Sequence, residues 1–157
     1  MGVIFSDITR ATPHQLILPA VLQELALAGV AIPHAHAAGD ATIKLALIGC
    51  GGRGSGAVAN ALSAPGGPVK LVAMADIFEN RLTAAHKILG EQFGTRIDVP
   101  KDRRFIGFDA YKKAIDCLKP GDIALLTTRA AFRATHLEYA VKKGVNIFME
   151  KTFAPDP

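Results

Sequence analysis

The 157 residues carry 18 Lys and Arg against 14 Asp and Glu, for a net charge of +4, and half of the chain is apolar with few aromatics. That is the size of one domain, and with ordinary glycine and proline usage it excludes a disordered chain, a collagen-like repeat and a coiled coil. Cys50 and Cys117 are too few and too far apart for a disulfide framework or a zinc site. The short basic cluster Lys101, Arg103 and Arg104 has Asp102 inside it and no stacking aromatics, so it reads as a solvated loop and no nucleic-acid partner is expected.

Residues 1–41 are apolar without a clear period and contain Pro13, Pro19 and Pro33. A membrane span needs about 20 consecutive apolar residues, and Gln23-Glu24 breaks this stretch, so no stable span is expected. The run from Leu25 to Ile32 has the length of a signal-peptide core, and Ala35-His36-Ala37 is a cleavage pattern, while Asp7 and Glu24 spoil the positive start. The segment reads as a degraded export leader or as a structural helix. The expectation is that residues 1–41 are leader-like or disordered and stand apart from a domain over 42–157. Export to the periplasm and a cytoplasmic location both stay open. His34 and His36 have no carboxylate or thiol near them in sequence, so no metal site is expected.

From Thr42 the pattern alternates strands with helices. Ile43 to Ile48 is a near-continuous apolar run, as expected for a parallel strand buried on both faces. Gly52 to Ser63 follows as a helix, then Val69 to Ala75 as a strand. Glu79 to Leu89 places Leu82, Ala85 and Leu89 on one helical face ahead of Gly90 as a C-cap. A less regular unit holds a short strand at Phe105 to Gly107 and a helix from Ala110 to Leu118, with Asp109 as its N-cap. Ile123 to Thr127, Phe132 to Lys143 and Val145 to Met149 complete the series, with Gly144 closing the last helix. Strands separated by helices of this length imply βαβ units and a doubly wound parallel α/β sheet, a Rossmann fold.

The first strand-to-helix turn, Gly49-Cys50-Gly51-Gly52-Arg53-Gly54, is a G-x-G-x-x-G between a buried strand and a helix. Gly49 permits the tight turn, Gly51 lets main chain approach a pyrophosphate, and Gly54 lets helix pack on strand. Gly52 sits at the helix N-terminus, where unpaired N–H groups attract anions, and Arg53 lies along the pyrophosphate or points to solvent. Asp76 ends the second strand. A carboxylate there accepts hydrogen bonds from an adenosine ribose and repels a 2′-phosphate, which points to NAD over NADP, although Arg81 lies close in sequence. The bland reading of Asp76, a helix cap, is compatible with that role.

Lys44 to Ser55, Met74-Ala75-Asp76, Arg103 to Tyr111 and the ending Phe148-Met149-Glu150-Lys151 resemble the N-terminal half of the glucose-fructose oxidoreductase/inositol dehydrogenase (Gfo/Idh/MocA) family, over about Thr42 to Pro157. The resemblance implies an NAD-dependent oxidoreductase acting on sugars, polyols or their derivatives, or on glycosides through transient oxidation. It implies that Lys151 is the catalytic lysine reaching substrate and nicotinamide, with Glu150 beside it and Thr128 on the turn after the fourth of these strands. His136 matches a histidine common in the next helix. Thr152 and Arg129 stand where the family has proline, which leaves two turns framing the nicotinamide less rigid. The family's second α/β domain, which supplies most of the substrate pocket and the usual oligomer interface, is missing, so the expectation is a fragment, a truncated product or part of a split protein. Homo-oligomers are expected only with that domain. Without the resemblance Lys151 reads as a surface lysine, Cys50 as a small buried side chain, and the chain as a non-catalytic dinucleotide-binding module or relic.

Overall fold

Aliphatic runs form the strands, and each is followed by a segment whose apolar residues fall on one helical face. A computed structural model describes residues 42–65 and 67–152 and the backbone of residues 3–5. In chain order the elements are β1 (Val3–Phe5), β2 (Ile43–Ile48), α1 (Gly52–Ser63), β3 (Val69–Asp76), α2 (Glu79–Phe93), β4 (Arg104–Ile106), α3 (Ala110–Asp116), β5 (Ile123–Leu126), α4 (Ala130–Lys143) and β6 (Asn146–Met149). The strands form one sheet in the order β1-β6-β5-β2-β3-β4, and every pairing is parallel. The chain winds from β2 through β3 to β4 on one side and through β5 to β6 on the other. This is the expected doubly wound α/β sheet of Rossmann type, with its switch point between β2 and β5.

Alternation along β2 divides the interior. Leu45 and Leu47 face Val58 and Leu62 of α1 and Leu82, Ala85 and Leu89 of α2. Ala46 and Ile48 belong to the opposite core, with Ala114 and Ile115 of α3 and Ala140 of α4. Burial on both faces is why Leu45 to Ile48 reads as uninterrupted apolar sequence. Leu45 pairs with Leu71 but Ala46 with Ala73, so β3 carries one extra residue at this point. At the end of the sheet away from the Gly-rich turn, the buried Asp122 accepts hydrogen bonds from the main-chain N–H groups of Lys44 and Lys119 and fixes the start of β5.

Several boundaries differ from the sequence expectation. α2 runs through Gly90 to Phe93, with Gly94 as its C-cap, because Phe93 still packs on the core. Asp109 occupies the position before α3, but its carboxylate takes Lys112 at 2.6 Å in place of a helix N–H. α4 begins two residues earlier than Phe132. The expectation for residues 1–41 placed no strand there, whereas β1 pairs Val3, Ile4 and Phe5 with Ile147, Phe148 and Met149 at the sheet edge. The cleavage pattern near Ala37 and the remainder, residues 6–41, lie outside the described residues. Among the described residues no helix is long and apolar enough to cross a membrane, and no His, Cys, Asp and Glu side chains gather as metal ligands.

Candidate functional site

Parallel strands point their carboxyl ends one way, so the turns after β2, β3, β5 and β6 converge at the switch point, where open α/β sheets bind ligands. The Gly-rich turn is built by contacts that side chains would forbid. Gly49 has φ of +98°, and a Cβ on it would meet the Thr128 nitrogen at 2.9 Å. A Cβ on Gly54 would lie 2.1 Å from the Gly49 carbonyl oxygen and 2.7 Å from Thr127 Oγ1. Cβ atoms on Gly51 or Gly52 would meet nothing within 4 Å. No side chain caps α1. The first and third motif glycines therefore serve close packing, and the second leaves open space before an uncapped helix N-terminus.

Hydrogen bonds from neighbouring strands hold this turn. The Thr127 hydroxyl has the Gly49 carbonyl at 2.7 Å and the Ile48 carbonyl at 3.1 Å, its single proton shared between them with Gly49 the nearer acceptor. The Asp76 carboxylate accepts the Cys50 N–H at 2.6 Å through one oxygen and the Phe78 N–H at 2.9 Å through the other. Asp76 thus braces the entry to α2, near the helix-cap reading of the sequence, and also the Gly-rich turn, a main-chain role that the sequence did not disclose. Each oxygen keeps a further lone pair for a ligand. Cys50 is buried against the Ala75 carbonyl. Burial, and then the Asp76 charge, push its thiol far above the ordinary range against the opposing Ala75 hydrogen bond, which leaves no thiolate nucleophile.

Arg53, which the sequence left between pyrophosphate and solvent, pairs with Glu150 at 2.6 Å. The arginine is half exposed and the Glu150 side chain is buried. The hydrogen bond to Glu150 raises the Arg53 pKa against a smaller opposing effect of burial. Glu150 is also reached from α4 by Arg133, a residue that sequence reasoning missed. Arg133 is 6% exposed, and it donates from Nε to the Thr128 carbonyl at 2.7 Å and from Nη1 to the Glu150 carbonyl at 2.5 Å and to the Thr152 carbonyl. Burial pulls its pKa below the ordinary arginine range, with Glu150 opposing. The available signal was an arginine in the stripe Arg133, His136 and Ala140, the buried face of α4.

A cleft of about 150 Å³ brings together Gly49, Gly51, Asp76 and Thr128, walled by Phe108 and His136 among others. Gly52, Arg53, Gly54, Glu150 and Lys151 do not line it. Lys151 follows β6 and is exposed. His136 is buried, its Nδ1 lies 3.2 Å from Thr128 Oγ1, and its ring stacks on Tyr111 with centroids 4.2 Å apart. Burial pushes its pKa down to about 4, so it is neutral at pH 7. Its ring also stacks toward Phe132, and it meets the site through Thr128.

No protein-family model and no curated protein matches this chain. Among solved structures it is similar to apo scyllo-inositol dehydrogenase from Lactobacillus casei, with a TM-score of 0.55 and 22% identity over 73% of this chain and 30% of that one. Myo-inositol dehydrogenase from the same organism, in complex with NAD(H) and myo-inositol, gives 0.52 and 18% over 72% and 29%. Myo-inositol 2-dehydrogenase from Lactobacillus plantarum gives 0.53 and 25% over 73% and 30%. The chain spans about three-tenths of the length of these structures, and the likeness is one of fold.

Proposed function

We propose that this chain is the NAD-binding part of a Gfo/Idh/MocA-type oxidoreductase that transfers hydride between a sugar or polyol and NAD. The observation that carries the reading is the Gly-rich turn. Gly54 is pressed onto Gly49 and Thr127, open space lies over Gly51, and the Asp76 carboxylate stands beside the turn at the switch point. A dinucleotide fits this arrangement, and a fold neighbour was solved with NAD(H). Main-chain N–H groups at Gly51, Gly52, Arg53 and Gly54 would hold the pyrophosphate, Asp76 the adenosine ribose, and Thr128 and Glu150 the nicotinamide side. NAD supplies a hydride acceptor at its nicotinamide ring. Lys151 would hold the substrate hydroxyl and, as the neutral amine, take up its proton to become the ammonium as hydride leaves the carbon.

A second reading, a non-catalytic dinucleotide-binding module, draws on the exposure of Lys151 outside the cleft. Calorimetric titration tests what both share. NAD(H) is expected to bind more tightly than NADP(H), and Asp76→Ala to erase the difference. Equal affinities in the unsubstituted chain would take Asp76 off the ribose. The two readings part on turnover: joined to a family-type second domain, the chain is expected to reduce NAD with sugars, polyols or inositols, and its Lys151→Ala form to fail. Full activity in that form would return Lys151 to the surface.

A further inference from the structure

Lys151 has no regular secondary structure to orient it. It follows the last residues of β6, and the carbonyls before and after it, those of Glu150 and Thr152, both accept from Arg133 Nη1. The same guanidinium donates through Nε to the Thr128 carbonyl on the turn after β5. One planar group thus ties together the two strand-end turns at the nicotinamide side of the proposed site. A lysine could not replace it, because an ammonium donates from one point whereas a guanidinium donates along a rigid fork. Nor is a cation needed to fill the space. Burying one is unfavourable unless it is well partnered, and Ala140 on the same face of α4 is buried without charge.

We propose that Arg133 is the positioning residue for Lys151, fixing the main chain on both sides of it against the Thr128 turn so that its side chain leaves toward the cofactor. The inference rests on the reading of Lys151 given above. The Glu150 carboxylate, attracted to Arg133 and bonded to Arg53, links this brace to the Gly-rich turn, so pyrophosphate and lysine positions are set by one connected group of charges.

The test is NMR on the whole chain with 15N-labelled lysine, the Lys151 amide being identified by its loss in Lys151→Arg. In the unsubstituted chain two results are expected: a shift of that amide on adding NADH, and separate, slowly exchanging Arg133 Nη protons. In Arg133→Lys, folded by the criterion of unchanged Leu126 and Ile147 amide protection, the Lys151 amide should move in the free state and lose most of its response at saturating NADH. An NADH response that survives intact in Arg133→Lys would overturn the role of Arg133 alone. Rapidly averaged Nη protons in the unsubstituted chain would overturn it without any variant. A parent Lys151 amide indifferent to NADH would instead remove the lysine from the site, and with it the reading on which the inference stands.

Discussion

Gly51 and Gly54, three residues apart, separate binding from stability. A Cβ on Gly54 collides with main chain, so Gly54→Ala is expected to cost about 1–3 kcal/mol, the usual range for overpacking, read as a lower urea midpoint. Gly51 has φ of −73° and open space, so Gly51→Ala should leave stability within about 0.5 kcal/mol while NADH affinity falls. An unchanged affinity would take Gly51 out of the pyrophosphate site. His136 supplies a pH dependence. Burial lowers its pKa from 6.5 to about 4, so between those values the unfolded chain binds the proton that the folded chain refuses. Stability is therefore complete above pH 6.5 and falls as pH drops toward 4, by about 3 kcal/mol from this residue. His86, lowered chiefly by burial, adds in the same direction. His136→Phe, which keeps the stack on Tyr111, is expected to flatten the difference between urea midpoints at pH 7 and pH 4.5. An equally steep fall in that variant would place the acid sensitivity elsewhere.

Among the elements, β6 has β5 on one side and β1 on the other. Deleting residues 1–5 would bare a row of main-chain N–H and C=O groups on β6. Faster amide exchange at Ile147 to Met149 and greater self-association are expected, with β2 protection unaltered. Unchanged exchange at β6 would mean that the edge does not depend on β1. The inner strands and α1 were legible because burial on both faces writes itself as near-continuous apolar runs and the G-x-G-x-x-G marks its own turn. β1 was not, since three residues carry no periodicity and their partner is remote. The overshoot of α2 past Gly90 came from Phe93, whose packing outweighs the helix cost of one glycine. Asp76 was legible by its spacing from the glycines and as a cap for the next helix, but its bond to Cys50 was not. Thr127 acts on the Ile48 and Gly49 carbonyls and Arg133 on those of Glu150 and Thr152, which only the winding of the sheet brings near, so no spacing rule announces them.

For the molecule as a whole, the dinucleotide is expected to act as a stabilising ligand, adding about 2.7 kcal/mol at a concentration 100 times its Kd. A thermal midpoint that does not move with NADH would contradict the proposed site. The cleft offers one wall, and general acid–base work needs a partner group and water exclusion. The 157-residue chain is therefore expected to bind NADH without oxidising sugars, polyols or inositols at a measurable rate, and turnover by it would show that the site is sufficient alone. The sheet order also bears on how the molecule is made. During synthesis β1 emerges first of the described strands and β6 last, yet the two are neighbours. β2, β3 and β4 can associate while translation continues, but β1 stays unpaired until nearly all of the domain has left the ribosome. Closing so long a span adds little to the entropy cost, which grows only logarithmically with length. The cost falls on time, because an unsatisfied strand near the amino terminus is open to other nascent chains until its partner arrives.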